Sequence, residues 1–430
     1  MHLGLIPFYS GLHDRSSLQV GHSELLAGLR EHFQVSFIQP EDAGTVDQAV
    51  AFIASGGVEA DFSRMYPKLP RPLLLLADGR HNSLPAAMEI LSWIRERGDS
   101  SEILHGDVRI MAPRLERLSR IIKTRRGLAD SVIGMLGASS PWLIASHVDP
   151  IAAARRWGIS FRSIEGEELN ILRREVKDEE AIPIARTFID RARNMREPSE
   201  ADVLAAAKIF VAMKRLVKQE QLNAVSVRCF DFLKERTTGC LALSLLNDEG
   251  LIAGCEGDAQ TVFSMLLLKQ LTGQTPFMAN PANVQREANK VIFAHCTVAT
   301  CLTQEYVIRS HFESGLGVAI QGELPPGPVT VFKCGRPGLD RFFISGGRLL
   351  ANPGDPHRCR TQVELVLDEP VDYFLKTPLS NHHVLIPGNH VELLREFTRE
   401  SGDGPPHPQP FPTTNGHFSD GNGDRTGGKE

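Results

Sequence analysis

The first 145 residues alternate between short apolar runs with a strand pattern and longer segments with apolar side chains at helical spacing. The predicted strands are His2–Phe8, Val35–Ile38, Pro72–Ala77, Val132–Leu136 and Trp142–Ala145. Residues Ser23–His32 and Leu84–Arg95 are predicted helices with one apolar stripe each. Strands that alternate with helices indicate an open parallel sheet with helices on both faces. We therefore predict a first α/β domain over residues 1–145.

The same alternation returns after a charged helical stretch at residues 166–222, in which Ser199 and Asp202 have the spacing of a helix capping box. The strands predicted next are Ala224–Val227, Leu251–Cys255 and Pro276–Ala279. The helix Ala259–Leu271 is apolar on almost every side, so we expect it to be buried. These elements predict a second α/β domain over residues 146–280, and we expect both parallel-sheet units to be Rossmann-like.

Beyond residue 316 the apolar runs become short and are separated by Gly and Pro, which indicates antiparallel strands. The runs are Gly317–Gln321, Val329–Phe332, Phe342–Ile344 and Val363–Leu367. We predict a β-rich, barrel-like C-terminal domain over residues 281–400. Residues 401–430 contain no Ile, Leu, Val, Met or Ala, so they cannot bury enough apolar surface to fold, and we predict a disordered tail.

Charge and composition exclude several classes of protein. The net charge of −5 and the absence of a long Lys/Arg run argue against a nucleic-acid partner. No apolar run approaches the roughly 20 residues that a membrane-spanning helix needs, and the N-terminal residues lack the pattern of a secretory signal. The seven cysteines, an odd number without a CxxC pair, are typical of a reduced protein, so we expect buried thiols and a cytoplasmic location.

One group of residues leaves a zinc site open as an alternative use of the cysteines. His295, Cys296 and Cys301 lie close together in the sequence, but they lack the paired spacing of common zinc sites. Small buried cysteines at the end of a strand are the favoured interpretation.

Acidic and amide side chains follow two successive predicted strands of the second α/β domain. Glu256 comes directly after one strand, and Asn280 ends the next. Because parallel strands end at the same edge of a sheet, where ligands bind, we expect these two side chains to lie side by side. Asp258 lies at the start of the buried helix, where it either joins the site or only caps the helix. Capping is the favoured interpretation.

Polar residues near other predicted strands are candidates for the same site. His382 and His383 precede an apolar run, and in an extended segment their side chains point to opposite faces, one to the site and one to solvent or a partner. The candidate substrate-binding residues are Arg228, His311, Arg360 and Gln362. An arginine fork suits an anionic ligand, which indicates a phosphate, sulfonate or carboxylate on the substrate, although surface salt bridges are the alternative.

Several of these segments resemble the core motif of the L-fucose isomerase family, within the L-fucose/L-arabinose isomerase superfamily. Residues Gly254–Asp258 match its Glu-x-Asp, Leu271–Gly273 its Leu-Thr-Gly and Phe277–Asn280 its Phe-Ala-Asp, and the 24 positions from Glu to the last residue match without a gap. The pair Asn381 and His382 resembles the late Asn-His segment of the family. The likeness covers most of the first 400 residues and is specific over residues 224–390.

In that family, the Glu, the Asp and the late His bind a manganese-type ion, and acidic residues move a proton between C1 and C2 through an enediol. The resemblance therefore implies metal ligands at Glu256, Asn280 and His382, with Mn²⁺ expected and Mg²⁺ as the alternative. Glu256 is the best candidate base, a mechanism that needs two carboxylates would have to recruit Asp258 or a water, and the resemblance places a substrate contact at Asn381. Asn280 replaces the family Asp, and an amide oxygen can ligate a hard cation but cannot accept a proton at neutral pH.

The expected function is a metal-dependent aldose–ketose isomerase for a sugar or an anionic sugar derivative. Two alternatives remain open: a carbohydrate-binding protein whose catalysis has diverged, and other enediolate chemistry such as epimerisation or lyase chemistry. The resemblance also implies a homo-oligomer in which the N-terminal domain of a neighbour covers the site, through the loop Pro7–Ser17 or Asp78–Ser83.

Overall fold

A computed structural model describes residues 1–11 and 20–400 of the chain. Its first five strands are β1 (His2–Phe8), β2 (Gln34–Phe37), β3 (Gln48–Ile53), β4 (Leu73–Leu76) and β5 (Ser101–Leu104). They form one parallel sheet in the order β2-β1-β3-β4-β5. The helices of this part are α1 (Ser23–His32), α2 (Glu59–Met65), α3 (Ser83–Glu96) and α4 (Val108–Ala129).

Helices cover both faces of this sheet, as predicted. Along each strand, alternate side chains enter different cores, because successive side chains point to opposite faces. Leu74 and Leu76 of β4 pack with residues of α1 and α4, including Leu29. Leu73 and Leu75 of the same strand pack with residues of α2 and α3. The fully apolar β4 is therefore buried on both faces.

The second parallel sheet has the order β10-β9-β6-β7. The strands of this region are β6 (Val132–Leu136), β7 (Ser160–Ile164), β8 (Asn194–Met195), β9 (Ala224–Val227) and β10 (Ile252–Gly254). The helices are α5 (Pro150–Trp157), α6 (Gly166–Glu175), α7 (Asp178–Arg191), α8 (Glu200–Gln219), α9 (Cys240–Asp248) and α10 (Ala259–Thr272). Ser199 caps α8 through a capping box with Asp202, which confirms the predicted helix start.

The C-terminal part is a closed antiparallel barrel, which confirms the β-rich prediction. Its region contains the strands β11 (Phe277–Gln285), β12 (Lys290–His295), β13 (Glu305–Arg309), β14 (Ala319–Glu323), β15 (Gly327–Gly335), β16 (Arg341–Ala351), β17 (Thr361–Leu367) and β18 (His383–Pro387). The barrel order is β11-β12-β17-β16-β15-β18. A separate small sheet has the order β14-β13-β8. Two helices, α11 (Tyr373–Lys376) and α12 (Val391–Glu400), complete the described chain.

Three predicted strands are placed differently by the structure. Val132–Leu136 is β6 of the second sheet instead of a strand of the first. Trp142–Ala145 is a loop whose turns are closed by hydrogen bonds such as Leu143 N to Ser140 O. Pro276–Ala279 is not a third parallel strand, because β11 pairs antiparallel with β12 and β18 in the barrel. Strand partners depend on distant segments, which a local apolar pattern does not specify.

The helix α10 joins the second sheet to the barrel. It is buried on nearly all sides, as predicted, and it packs against β9 and β10 on one side and β15 and β18 on the other. Asp258 caps its N-terminus, and Gly273, with a φ of 73°, ends it in the left-handed conformation that favours glycine. The residues just before α10 therefore lie where the sheet meets the barrel.

Two predictions concern residues at the limits of this description. The predicted tail, residues 401–430, and residues 12–17 of the predicted covering loop lie outside the described residues. Within the described part, no helix has the length and apolar character needed to cross a membrane.

Candidate metal centre

A tight turn between β10 and α10 presents Glu256. Glu256 has a φ of 65° and Gly257 a φ of 73°, so two successive residues adopt the left-handed conformation. Glycine is required at the second position, since a Cβ on Gly257 would lie 2.7 Å from the Cα of Ser139. The backbone N–H of Ser140 donates to the carbonyl of Glu256 at 2.9 Å. The segment after β6 thereby holds the turn.

The carboxylate of Glu256 lies beside two imidazoles that come from the barrel. His382 Nε2 is 3.4 Å and His295 Nε2 is 4.0 Å from the Glu256 Oε1 atom. His295 ends β12, and His382 directly precedes β18. One ligand atom from each of the three residues lies within 4.8 Å of the others, and no other group of this kind is found among the described residues.

Two buried polar atoms at this place lack a hydrogen bond. They are His382 Nε2, whose contact with Glu256 has no hydrogen-bond geometry, and Asn280 Oδ1. The barrel register, with Ala279 opposite His383, brings Asn280 alongside His382. Buried polar atoms are rarely left unpaired without a reason such as a missing ion. Carboxylate and amide oxygens with imidazole nitrogens form a plausible ligand set for a divalent cation.

Asp258 orients His382 from behind. Its Oδ2 atom lies 3.0 Å from His382 Nδ1, and it accepts hydrogen bonds from the backbone and hydroxyl of Thr261 at 2.9 and 2.7 Å. Lys333 Nζ lies 3.8 Å from the same carboxylate and donates to the Thr261 hydroxyl at 2.7 Å. Asp258 and Lys333 are fully buried. Asp258 caps the helix, as predicted, but it does not only cap it, because the same carboxylate also contacts His382. A carboxylate behind a histidine fixes the tautomer and ring orientation of metal-binding imidazoles.

Neighbouring charges set the protonation of the cluster. Burial opposes the charge of Glu256, but His382, His295 and Trp142 lower the pKa of this carboxyl to about 2. Burial also opposes the charge of Asp258, yet Lys333 and His382 hold its pKa well below the usual range. Burial would lower the pKa of His382, but Asp258 and Glu256 raise it to about 9. Burial and the neighbouring His382 lower the pKa of His295 to about 3. A cation bound here would therefore displace a proton from His382.

Two of the predicted substrate-binding residues, His311 and Arg360, contact aromatic rings, and a third, Arg228, pairs with an acidic residue. His311 packs edge-on against Phe230 at 5.5 Å, and burial followed by the charge of Arg360 lowers its pKa. Arg360 lies over the ring of Phe312 at 5.7 Å and donates to the Ser310 carbonyl at 2.8 Å. Arg228 follows β9, and its guanidinium is 3.6 Å from Asp231.

The other two predicted substrate-binding residues have different surroundings. The Gln362 amide bonds the backbone of Asp355 through both its oxygen, at 3.2 Å, and its nitrogen, at 2.8 Å. The side chain of Asn381 is exposed, and its carbonyl accepts from His383 Nδ1 at 3.0 Å. His383 points away from His382, as predicted, although it faces Tyr373, 3.0 Å from the hydroxyl, instead of solvent.

Sequence reasoning missed three residues of this centre. His295 was grouped with Cys296 and Cys301, but neither cysteine belongs to the group of ligand atoms around Glu256. The position of His295 at the end of a β-strand could have marked it as a site residue. Lys333 could have been found in the same way, because it is a single lysine in the apolar run of β15. No local pattern distinguished Trp142 from a strand residue.

A carboxylate, two imidazoles and an amide oxygen, held between a parallel sheet and a closed barrel, define a candidate metal site of the kind that enzymes use. Several proteins named sulfoquinovose isomerase are similar to the chain in sequence. Sulfoquinovose isomerase from Alkalicoccus urumqiensis is 26% identical over 336 residues, which cover 74% of each chain. The protein of that name from Priestia aryabhattai is 22% identical over 332 residues and 74% of each chain. The one from Clostridium sp. (strain MSTE9) is 27% identical over 206 residues and 46% of each chain. No protein-family model matches the chain.

Proposed function

We propose that the protein is a metal-dependent aldose–ketose isomerase that acts on a sugar with an anionic group, of the type of sulfoquinovose. The observation that carries the proposal is the cluster of Glu256, His295 and His382 with the unpaired Asn280 oxygen beside it. The relatives named sulfoquinovose isomerase support both the reaction and the substrate class. Sulfoquinovose is an aldose with a sulfonate group, and such an isomerase converts it to the corresponding ketose.

The residues that would hold the ion are Glu256, Asn280, His295 and His382. An ion of the Mn²⁺ or Mg²⁺ type supplies electrophilic polarisation of the sugar carbonyl and stabilises negative charge on the neighbouring oxygens. Asp258 keeps His382 oriented. Burial of the cluster excludes water from most of the site and strengthens its electrostatic interactions.

Glu256 is the best candidate for proton transfer between C2 and C1. Its side chain retains 13% exposure, whereas Asp258 is completely buried and bonded to protein groups. In the aldose-to-ketose direction a base removes the proton from C2, an enediol forms, and the proton is delivered to C1. Asp258 therefore acts in this proposal through His382 and not on the sugar.

Basic side chains near the site support an anionic substrate. Arg228 lies two residues before Phe230, which packs against His311, and Arg360 lies over the ring of Phe312, the residue after His311. His311 interacts electrostatically with both Arg360 and Glu256. A sulfonate is recognised by guanidinium groups through charge-assisted hydrogen bonds. We place the anionic end of the sugar on this side of the site.

The metal proposal is tested by thermal unfolding with and without Mn²⁺. Wild type is expected to gain stability from the ion, and His382→Ala should lose that gain, because the variant removes a ligand. His383→Ala is the matched control: its starting melting temperature should fall, since a buried ring is removed, but the gain from Mn²⁺ should persist. Equal gains in wild type and His382→Ala would contradict the proposed site.

The reaction is tested by proton exchange at C2 in D₂O. Sulfoquinovose should incorporate deuterium and yield its ketose, whereas glucose, which lacks the sulfonate, should react far more slowly. Binding of sulfoquinovose without exchange would instead favour the second candidate, a carbohydrate-binding protein on an isomerase scaffold. Asn280 supports that alternative, because an amide there removes a carboxylate that could accept a proton.

A further inference from the structure

A short segment after β6 grips the turn that carries Glu256. This clamp, residues 138–142, makes two contacts with the backbone of the turn. Ser140 N–H donates to the Glu256 carbonyl at 2.9 Å, and the Ser139 hydroxyl donates to the Gly257 carbonyl at 2.7 Å. Because Glu256 is a non-glycine residue with a left-handed backbone, these contacts stabilise a conformation that its own side chain disfavours.

The third contact reaches the Glu256 side chain itself. The indole Nε1–H of Trp142 donates to Glu256 Oε2 at 2.6 Å. This hydrogen bond engages the oxygen opposite to Oε1, the atom that faces His382 and His295. A hydrogen bond to an ionised carboxylate is stronger than a hydrogen bond between two neutral groups, and it fixes the plane of the carboxylate. The clamp therefore controls which Glu256 oxygen is free for a ligand.

The ring of Trp142 is exposed in a way that packing does not explain. Its fractional exposure is 49%, and its ring lies edge-to-face with Phe230 at 4.9 Å. The chain of rings continues to His311, 5.5 Å from Phe230. The indole of Trp142 directs its N–H to Glu256 and leaves one face of the ring exposed. Such a ring is suited to contact a ligand that is apolar on one side and polar on the other. The carbon–hydrogen face of a sugar has this character.

We propose that Trp142 is a positioning residue for Glu256 and that its exposed ring, with Phe230, forms the wall against which the sugar lies. This inference rests on the proposed function and adds to it the residue that orients the carboxylate and one side of the sugar pocket. The two roles separate by substitution. Trp142→Phe keeps an aromatic ring and removes the N–H donor, whereas Trp142→Ala removes both.

The test compares these variants with wild type by Mn²⁺ titration, followed as free Mn²⁺ by electron paramagnetic resonance, and by steady-state kinetics on sulfoquinovose. Loss of an outer-shell hydrogen bond to a metal ligand typically weakens binding about 10-fold or more, so Trp142→Phe should raise the Kd for Mn²⁺ by that factor and lower kcat. The KM for the sugar should stay close to that of wild type. Trp142→Ala should weaken Mn²⁺ binding equally and also raise the sugar KM.

Trp93→Phe is the matched control, because Trp93 packs with Phe62 and Tyr66 in the first sheet's core, away from the clamp. It should leave Mn²⁺ affinity unchanged. Wild-type affinity in Trp142→Phe would overturn the positioning role, and an unchanged KM in Trp142→Ala would overturn the wall. If wild type itself binds no Mn²⁺, the proposed function falls together with the inference. If wild type binds Mn²⁺ and both Trp142 variants match wild type in Mn²⁺ affinity and sugar KM, the inference falls and the proposed function stands.

Discussion

Asn280 stands where the L-fucose isomerase motif has an aspartate, and its environment makes the difference testable. Its Oδ1 atom is buried without a hydrogen-bond partner, and the barrel register brings residue 280 alongside His382. An amide contributes an oxygen without a charge, so the centre around Glu256 has one carboxylate fewer than the motif provides. The substitution therefore concerns the charge of the site more than its shape.

Asn280→Asp should tighten binding of Mn²⁺, because a second carboxylate adds favourable charge to the same ligand position. We expect roughly a 10-fold lower Kd, which corresponds to about 1.4 kcal/mol, measured by Mn²⁺ titration. Asn283→Asp, which adds the same charge further along β11, is the control and should change the Kd little. A Kd for Asn280→Asp equal to that of wild type would show that residue 280 is not a ligand. Loss of turnover on an anionic sugar would indicate repulsion of the substrate.

Histidine protonation predicts a stability maximum for the metal-free protein near pH 6.5. The pKa of His382 is raised to about 9, so the folded state holds its proton more tightly than the unfolded state, and stability is lost as pH rises toward 9. The pKa values of His295 and His383 are lowered to about 3, so these groups destabilise the fold as pH falls below about 6.5. Urea unfolding across this range checks the prediction. His382→Gln should flatten the alkaline side, and it should also reduce the loss on the acid side, because the His382 charge helps to lower the pKa values of His295 and His383.

At the scale of elements, local patterns predicted β4 and the buried helix α10, but they missed the fully buried strand β3 and the long helix α4. The apolar run of β4 and the apolar residues on all sides of α10 each predict that the element is buried. These local patterns do not specify which strand each strand pairs with. The segment Phe277–Asn280 reads as a buried strand in either a parallel sheet or a barrel, and only its pairing with β12 and β18 decides between them.

Lys333 shows how the barrel supports the metal centre from an element that the motif does not include. Lys333→Met should destabilise the fold by about 3 kcal/mol, because it removes one of the two cationic partners of the fully buried Asp258 and leaves His382 as the other. Urea unfolding at pH 7 measures the change. The control is Lys376→Met, which removes a half-exposed partner of Asp372 and should cost less than about 1 kcal/mol.

A second substitution separates charge from packing at this position. When Asp258→Asn is added to Lys333→Met, it removes the buried negative charge of residue 258 that has lost its lysine partner, and it should restore part of the lost stability. If the double variant is no more stable than Lys333→Met alone, Lys333 of β15 stabilises α10 through the packing of its aliphatic stem and not through its charge.

At the scale of the molecule, the site is assembled from four segments that are distant in sequence. Glu256 and Asp258 come from the turn before α10, His295 from the end of β12, His382 from the residue before β18, and Trp142 from the loop after β6. The motif around Glu256 and the late histidine could be recognised because their spacing and neighbours are distinctive. His295 and Trp142 could not, since their meeting with Glu256 depends on barrel closure and on the loop conformation.

Exposed apolar residues near the site support the expected homo-oligomer. Trp142 is 49% exposed, and Ile144, two residues further in the same loop, is 85% exposed. Apolar side chains of this size in one exposed loop at the mouth of a site are typical of surfaces that another chain covers. The expected oligomer, in which the N-terminal domain of a neighbour covers the site, would bury this loop. The segment Asp78–Ser83, which follows β4 at the carboxyl edge of the first sheet, remains the predicted cover.

We therefore expect the protein to elute as an oligomer in size-exclusion chromatography with light scattering. Ile144→Asp should shift it toward smaller species, because burying a carboxylate in an interface is strongly unfavourable. Ile171→Asp, an exposed apolar position on α6, is the control and should leave the mass unchanged. Mn²⁺ affinity should survive Ile144→Asp, since the proposed ligands all belong to one chain, whereas the sugar KM should rise as the cover is lost. A wild-type protein that is monomeric and fully active would contradict the assembly, and it would leave Trp142 and Phe230 as the open wall of a site that one chain completes alone.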